Sequence, residues 1–353
     1  MPFQIIRNDI TKVKADAIVN TANPEPYIGA GTDSAIYAAA GKEQLLAERK
    51  RIGNITPGQA VSTPAFNLDA RYIIHTVGPT WIDGNHREKE TLHSCYEKSL
   101  VLATKMKCGS IAFPLIATGV YGFPKDEALS IALSEIGKFL LTHEMKVILV
   151  VFDRKAMELS EELAGSIEKY LDEHSVQKIR DTEYGDDSIY DERRRRIIER
   201  ERWGVEQRRI IQNWQHLDAA ETSSPFLPTM RLEDAIGRKG DTFQQRLFKL
   251  IDASGMDNVT VYKKANIDRK IFSRIRCKSD YKPKKITAVA FAIALELDLP
   301  TTCDLLATAG IAFSQSDVFD LIISYFIGKK EYNIYTINAA LFEYGQPTLG
   351  TEE

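Results

Sequence analysis

The sequence lacks the patterns that mark secreted, membrane-spanning and disulfide-rich proteins. Its four cysteines, Cys95, Cys108, Cys277 and Cys303, are widely spaced and form no CxxC pair. This spacing argues against a zinc knuckle or a disulfide framework, and it indicates a reducing compartment. No run of about 18 apolar residues is present to span a bilayer, and the opening MPFQIIRNDI lacks the form of a signal peptide. We therefore expect a soluble, cytoplasmic protein that does not engage a membrane.

Motifs for several kinds of catalysis are also missing. The sequence has neither the GxSxG turn of serine hydrolases nor the GxxxxGK[ST] loop of nucleoside triphosphatases. His86, His93 and His143 show no spacing with cysteines or carboxylates that suggests a metal site. His75 stands in the apolar segment 71-RYIIHTV-77, which favours a hydrogen-bonded core histidine over a catalytic base. We expect neither a metal nor a cofactor.

Length and composition allow more than one domain. At 353 residues the chain suits two or three domains, and its hydrophobic content of 44% supports well-formed cores. The formal net charge of -3 gives no overall sign of a nucleic-acid partner. Charge therefore has to be examined region by region.

Residues 1–175 alternate short β-branched segments with helical patterns, which predicts an α/β layer structure with a largely buried sheet. The predicted strands are 3–6, 16–20, 71–77, 110–116 and 146–152. The predicted helices are 33–50, 88–106, 125–142 and 154–173.

The rest of the chain divides into two regions. Residues 176–240 contain the arginine- and glutamate-rich run 189–214, and its interleaved charges predict a charged helical linker. Residues 241–353 predict a small all-helical domain, with helices at 242–253, 259–264, 268–277, 285–297, 301–309 and 315–328. The apolar segments 319–327 and 334–342 fit either a completed core or a dimer face.

Two glycine-rich loops follow predicted strands and precede predicted helices. The first, 28-IGAG-31, leads into the helix that begins near Asp33, and the second is 117-ATGVYGF-123. Small residues let an anion approach the backbone closely, and the N–H groups at a helix start favour negative charge. Two such loops at one edge of a sheet predict a site for two phosphates.

Three polar residues accompany the first loop: Asn20, Asn23 and Asp33. A carboxylate at a helix start can orient and polarise a water for hydrolysis of a ribose ester, without a metal or a side-chain nucleophile. Each residue also has a purely structural interpretation, because aspartate often caps helices and asparagine often occupies turns. Their combination with two phosphate loops favours a functional site.

The blocks 8-NDITKVKADAIVNTAN-23, 29-GAGTDSAIYAAAG-41, 72-YIIHTVGP-79 and 111-IAFPLIATGVYGFP-124 resemble a macro domain of the MacroD type. The resemblance implies a three-layer α/β/α sandwich with a mixed sheet that binds ADP-ribose. Many members of that family hydrolyse O-acetyl-ADP-ribose or remove mono-ADP-ribose from acidic side chains. The expected partner is thus ADP-ribose or an ADP-ribosylated substrate.

The resemblance also assigns roles to single residues. Asp33 would orient the water, Asn23 would position the distal ribose, and Asn20 would brace the loop. At the other end of the ligand, Asp9 and the backbone of Ile10 would bind the adenine, on which Phe152 would stack. Two loops would hold the diphosphate, with Phe123 packed against the distal ribose; the loop residues are Gly29, Ala30, Gly31, Thr118, Gly119, Val120, Tyr121 and Gly122.

Two positions depart from the pattern of hydrolytic relatives. Ile28 stands where those proteins usually carry a glycine, and Tyr37 stands where they usually carry a histidine. Ile28 is expected to narrow or reshape the loop around the distal ribose. Hydrolysis is the first expectation, because both asparagines and the aspartate are retained. The alternatives are a non-catalytic ADP-ribose sensor that regulates transcription, and a hydrolase that removes ADP-ribose from nucleic acid.

The segment 259–299 resembles the helix-turn-helix of the lambda-repressor-like family. The resemblance places 268-DRKIFSRIR-276 at the recognition helix, with candidate DNA contacts at Lys270, Ser273, Arg274 and Arg276. Between residues 263 and 285, ten Lys or Arg stand against two Asp, a polarity suited to phosphates. Repressor-like folds also serve as protein-interaction modules, so residues 259–285 predict contact with either DNA or a protein partner.

Overall fold

The structure is a computed structural model that describes residues 2–152, 159–160, 162–171 and 240–350. The described residues of the ranges 1–167 and 241–353 belong to one compact unit. The predicted linker at 176–240, with its charged run at 189–214, lies outside the described residues except for Gly240. Of the helix predicted at 154–173, residues 162–171 are described and are helical.

One mixed sheet forms the centre of the N-terminal part. Its strands are β1 (Phe3–Arg7), β2 (Ala17–Thr21), β3 (Ala60–Pro64), β4 (Tyr72–Thr76), β5 (Ser110–Pro114) and β6 (Lys146–Val151). They lie in the order β1-β6-β5-β2-β4-β3. Neighbouring strands are parallel except β3, which pairs with β4 in antiparallel orientation.

Helices cover both faces of this sheet. They are α1 (Thr32–Ala40), α2 (Lys42–Ile52), α3 (Glu88–Lys105) and α4 (Lys125–Thr142). Because side chains alternate along a strand, Ile18 of β2 and Ile73 of β4 point to one face, where they pack with Tyr37 of α1. On the opposite face, Tyr96 of α3 lies against Phe113 of β5 with ring centroids 5.2 Å apart. The predicted three-layer α/β/α sandwich with a mixed sheet is confirmed.

The structure differs from the sequence prediction at one strand and one helix. β3 is absent from the prediction because its residues, AVSTP, are partly polar and end in proline; such a strand is tolerated at the edge of a sheet. The single helix predicted at 33–50 is in fact α1 followed by α2. The break falls at Gly41, whose φ of 107° is a conformation that favours glycine.

The C-terminal region is wholly helical between its connecting turns. Its helices are α5 (Phe243–Ser254), α6 (Asn258–Lys264), α7 (Arg269–Cys277), α8 (Lys285–Ala294), α9 (Leu299–Thr308), α10 (Val318–Lys329) and α11 (Ile334–Glu343). Polar side chains fix several helix starts, among them Thr242 with Gln245 in a capping box and Asp257 before α6. α10 and α11 bury Phe326 and Ile337 within this chain, which favours a completed core over a dimer face. The predicted helical domain is confirmed.

The turn between α6 and α7 covers the edge of the sheet at β1. The fully buried Asn266 accepts a hydrogen bond from the Phe3 N–H at 2.9 Å, and its amide donates to the Phe3 carbonyl at 3.0 Å. The side chain thereby pairs with β1 as a further strand would, and it satisfies groups that an edge strand leaves open. Asn266 has a φ of 54°, a left-handed conformation in which asparagine is enriched.

Aromatic side chains extend this contact between the helices and the sandwich. Tyr335 of α11 lies edge-on to Phe3, with ring centroids 5.3 Å apart. The same ring packs over Gly137 of α4, where an added Cβ would come within 2.9 Å of it. Tyr262 of α6 donates a hydrogen bond to Glu144 Oε1 at 2.8 Å. The helical region and the sandwich are therefore joined by packed and hydrogen-bonded contacts.

In the part of the chain that the structure describes, no helix has the length and apolar character needed to cross a membrane.

We predict that Asn266→Ala lowers the free energy of unfolding by about 2–4 kcal/mol. The N–H and the carbonyl of Phe3 lose their hydrogen-bond partner, and alanine is placed at a positive φ. Chemical denaturation measures this change. Asn266→Gly accepts the backbone conformation but also lacks the amide, so it separates the two contributions. A loss below about 0.5 kcal/mol in the alanine variant would contradict the role assigned to this side chain.

Candidate functional site

A cleft of about 830 Å³ opens where the parallel strands β1, β2, β5 and β6 end. This edge is where open α/β sheets usually bind ligands. The lining residues fall within four segments, 8–10, 21–35, 114–125 and 150–152. Both glycine-rich loops of the sequence therefore reach the same cleft.

Asp33 occupies a buried position at the start of α1. The residue is 3% exposed, yet both of its carboxylate oxygens accept hydrogen bonds, Oδ1 from Asn20 Nδ2 and Oδ2 from the Gly29 N–H, each at 2.6 Å. The N-cap position of α1 is occupied by Gly31, and no side chain caps this helix, so the interpretation of Asp33 as a helix cap is wrong. The carboxylate is instead fixed in the wall of the cleft.

The surroundings of Asp33 set its protonation. Burial raises the pKa of the Asp33 carboxyl above its ordinary value, and the hydrogen bonds from Asn20 and Gly29 and the charge of Arg49 lower it in part. Carboxyl groups with a raised pKa in a cleft are typical of functional sites, because a base must take up a proton near the working pH. The position and protonation of Asp33 both suit a general base.

A buried chain of hydrogen bonds supports Asn20 from inside the sheet. Asn20 Nδ2 lies 3.1 Å from His75 Nδ1, and His75 Nε2 lies 3.0 Å from Thr63 Oγ1. Because the Asn20 amide donates, Nδ1 accepts and Nε2 carries the proton. Burial lowers the pKa of His75 to about 3, so its ring is neutral at neutral pH. The structure therefore agrees with the interpretation of His75 as a hydrogen-bonded core residue, and it gives that residue the task of orienting Asn20.

The first loop requires small residues for two separate reasons. A Cβ added to Gly29 would lie 2.6 Å from Asn23 Nδ2 and 3.3 Å from Asp33 Oδ2. Gly31 has a φ of 61° and a ψ of -128°, a combination that is essentially restricted to glycine. Asn23 connects the two loops, because its Nδ2 donates to the Tyr27 carbonyl and its Oδ1 accepts from the Tyr121 hydroxyl, both at 3.4 Å.

The second loop is held in shape by a neighbouring segment. The Phe123 N–H donates to the Ala117 carbonyl at 3.0 Å, which closes the loop on itself. The Trp81 N–H donates to the Tyr121 carbonyl at 2.8 Å, and the Trp81 ring lies 4.7 Å from the ring of Phe123. Gly78 lies directly beneath the loop, where a Cβ would approach the Cβ of Ala117 to 2.9 Å. The loop is thus supported on its inner side and open toward the cleft.

The far end of the cleft offers a carboxylate and an exposed ring. Asp9 Oδ1 accepts hydrogen bonds from the Thr11 N–H at 2.9 Å and from the Thr11 hydroxyl at 2.8 Å, so its carboxylate is fixed at the rim. Phe152, directly after β6, is 74% exposed and lines the cleft. An exposed aromatic ring provides a flat surface on which another ring can stack.

Most of the predicted site residues meet at this cleft. Those that line it are Asp9, Ile10, Asn23, Gly29, Ala30, Gly31, Asp33, Thr118, Gly119, Val120, Tyr121 and Phe152. Three others are not among the lining residues. Asn20 supports Asp33, Gly122 turns the second loop at a φ of 66°, and Phe123 is buried against Trp81. The individual roles of these residues toward a ligand stay predictions.

The two departures from hydrolytic relatives face the core rather than the cleft. Ile28 packs against the apolar cluster that contains Tyr37, and neither residue is among those that line the cleft. Burial, followed by the charge of Asp33, raises the pKa of Tyr37 to about 12, so this side chain is neutral. The structure gives no support to the expectation that Ile28 narrows the loop.

Sequence reasoning missed three residues of this site. Arg49 of α2 is buried behind the first loop, Trp81 supports the second loop, and Lys125 at the start of α4 lines the cleft. Lys125 stands directly after a predicted phosphate loop and could have been found from that position. Arg49 lies in the run 48-ERKR-51, which resembles a solvated helix face and gives no signal of burial.

The four residues predicted to contact DNA share one exposed helix face. Lys270, Ser273, Arg274 and Arg276 are all exposed on α7, whose Phe272 and Ile275 point into the helical core. The side chain of Arg269 is exposed beside them. The candidate contact residues are therefore exposed, and their contact with DNA stays a prediction.

Comparison with known proteins identifies the sandwich. Residues 19–132 match the macro domain family. A macro domain-containing protein of Listeria monocytogenes serotype 4b is 43% identical over 173 residues, which cover 47% of this chain and 98% of that protein. This chain belongs to the macro domain family. An O-acetyl-ADP-ribose deacetylase of Citrobacter rodentium is 43% identical over 166 residues, which cover 46% of this chain and 94% of that protein.

Solved macro domains are similar over the same part. One from Oceanobacillus iheyensis with ADP is 39% identical, with a TM-score of 0.43 over 47% of this chain and 91% of that chain. One from Trypanosoma brucei in complex with ADP-ribose is 36% identical, with a TM-score of 0.41 over 44% of this chain and 66% of that chain. These matches cover less than half of this chain, and they leave the family of the C-terminal helices unidentified.

Proposed function

We propose that this macro domain protein binds ADP-ribose in the cleft and hydrolyses an ester at the distal ribose. The substrate class is O-acetyl-ADP-ribose or a mono-ADP-ribosylated acidic side chain. The proposal draws on the similarity to O-acetyl-ADP-ribose deacetylases at 43–44% identity over the macro domain. The single observation that carries it is the buried Asp33 carboxylate, fixed by Asn20 and Gly29 in the wall of the cleft.

The ligand is oriented along the cleft by the groups at its two ends. The adenine lies at the exposed ring of Phe152, beside Asp9. The diphosphate lies between the two loops, where backbone N–H groups and the positive charge of Lys125 favour an anion. The distal ribose then reaches Asn23, whose amide lies close to Gly29, the residue that donates to Asp33.

The chemistry follows from a carboxylate that accepts a proton from water. Asp33 takes a proton as the water oxygen forms a bond to the acyl carbon. Asp33 then returns this proton to the ribose oxygen as the bond between that oxygen and the acyl carbon breaks. The products are free ADP-ribose and a carboxylic acid, or the restored acidic side chain. Asp33 is effective in this role because its two hydrogen bonds fix its geometry before the substrate arrives.

A non-catalytic ADP-ribose sensor is the principal alternative. This alternative is suggested by Ile28 and Tyr37, which stand where hydrolytic relatives usually carry a glycine and a histidine. Tyr37 is buried and Ile28 is partly buried against the same apolar cluster, and neither is among the residues that line the cleft. Removal of ADP-ribose from nucleic acid bases is a further alternative, which involves a different chemistry.

We predict that the intact protein binds ADP-ribose and releases it from a glutamate-modified protein, and that Asp33→Ala abolishes release. The variant removes the group that accepts the proton, and a loss of about 10²–10⁴-fold in rate is expected for a general base. Calorimetry measures binding, and a release assay measures turnover on modified protein, O-acetyl-ADP-ribose and modified DNA oligonucleotides.

The arms of this experiment separate the alternatives. Binding without release by the unmodified chain would make the protein a sensor, and release from oligonucleotides alone would make nucleic acid the substrate. Absence of binding would contradict the whole assignment of the cleft. Lys50→Ala, an exposed substitution on α2, serves as the matched control and leaves binding and release unchanged.

A second function, contact with DNA, is favoured by the exposed face of α7. Arg269, Lys270, Arg274 and Arg276 lie on that face without burial, and Gln244 donates to the Arg276 carbonyl, which anchors the end of the helix. An exposed, basic helix provides contacts for the phosphates of a duplex. Binding of a protein partner by the same face is the alternative outcome.

We predict that Arg274→Ala combined with Arg276→Ala weakens binding to duplex DNA. The slope of log K against log salt concentration is expected to fall by the contribution of about two phosphate contacts. Fluorescence anisotropy at several salt concentrations measures both quantities. The double variant Lys50→Ala with Arg51→Ala removes the same charge from an exposed site on α2 and is the control. A salt slope equal to that of the unmodified protein would exclude α7 as the DNA contact.

A further inference from the structure

Arg49 is a buried cation for which the fold alone gives no reason. It is 1% exposed, and a buried arginine is costly unless its charge is compensated. Within the described residues, its guanidinium donates to two carbonyl oxygens, Gly53 O at 2.8 Å and Asn23 O at 3.3 Å. Carbonyl oxygens compensate the N–H donors but not the full charge.

The contact with Asn23 places Arg49 directly behind the cleft. Asn23 follows β2 and carries the amide that lies against Gly29, and the Gly29 N–H donates to Asp33. Arg49 therefore contacts the backbone of a residue that lines the cleft, although Arg49 itself is not among the lining residues. It lies on α2, which follows α1 after the break at Gly41.

The other charged or titratable groups around Asp33 do not supply a compensating positive charge from behind. Tyr37 on α1 is neutral because burial raises its pKa to about 12, and His75 on β4 is neutral because burial lowers its pKa to about 3. Tyr121 on the second loop is also neutral, since burial, the nearby Tyr27 and Asp33 raise its pKa. Lys125 on α4 lines the open cleft. The charge of Arg49 favours the ionised form of Asp33, against the effect of burial.

We propose that Arg49 is a positioning residue of the cleft: its buried guanidinium fixes the backbone beside the distal ribose through the hydrogen bond to the Asn23 carbonyl, and it places a positive charge behind the Asp33 carboxylate. This inference rests on the proposed function for its effect on turnover. Its effect on the ionisation of Asp33 does not depend on turnover. Arg49 does not touch the ligand, so it acts only through these two residues.

The test compares Arg49→Met, which has a similar length and no charge, with Arg49→Lys and with Arg51→Met. Arg51 lies on the same helix, and its side chain is 77% exposed. Carbon-13 labelling of aspartate in the full chain allows titration of the Asp33 carboxyl by NMR, and Asp33→Asn identifies its resonance. The pH dependence of kcat/KM for release is measured in parallel.

Arg49→Met is expected to move the titration midpoint of Asp33 upward, because the loss of a nearby positive charge disfavours the ionised carboxylate. Since turnover requires ionised Asp33, the acid limb of kcat/KM moves upward by the same amount. Arg49→Lys keeps the positive charge and brings the titration midpoint of Asp33 most of the way back to that of the unmodified protein. Arg51→Met leaves the midpoint unchanged. If Arg49→Met does not fold, Arg49→Gln, which can still donate to one carbonyl, is the neutral variant and carries the same expectation.

Two results would overturn the proposal. A folded neutral variant with the midpoint of the unmodified protein would exclude an electrostatic role, and an equal shift in Arg51→Met would exclude a local one. Failure of the proposed function is a separate result. If the unmodified chain shows no release, the NMR titration still decides whether Arg49 controls Asp33.

Discussion

The site depends on one interaction, the Asp33 carboxylate held between the Asn20 amide and the Gly29 N–H. A buried carboxylate is costly, and the two hydrogen bonds compensate only part of that cost. The remaining features of the sandwich maintain this arrangement. β2 presents Asn20, His75 on β4 orients it, and the absence of a side chain at Gly29 lets the backbone approach. The mixed sheet brings these groups together although they are far apart in the sequence.

A second constraint joins the helical region to the same sheet. β1 is an edge strand, and Asn266 pairs with the backbone of Phe3 at its start. At its other end, β1 leads directly into Asn8, Asp9 and Ile10 in the wall of the cleft. The helices therefore do more than occupy the C-terminal part of the chain. They complete the hydrogen bonding of a strand that also forms part of the cleft.

Much of the fold and most of the cleft were predictable because short-range patterns determine them. Glycines after strands predict the two loops, and short β-branched segments predict five of the six strands. β3 was not predicted, because its sequence is partly polar and ends in proline. Such a strand is stabilised by pairing at the edge of the sheet rather than by burial. The burial of Arg49 and Asn266 was not predicted for a different reason. It comes from contacts with Asn23 and Phe3, which are distant in sequence, and a local sequence pattern does not indicate such contacts.

The measurement that tests the central claim most directly is the rate of ADP-ribose release by Gly29→Ala. The added Cβ would crowd Asn23 Nδ2 and Asp33 Oδ2 without altering either residue. Gly328→Ala is the matched control, because its Cβ meets no atom within 4 Å. The account predicts a loss of about tenfold or more for Gly29→Ala, which corresponds to about 1.4 kcal/mol of transition-state stabilisation, and no loss for the control. Equal rates in the two variants would contradict it.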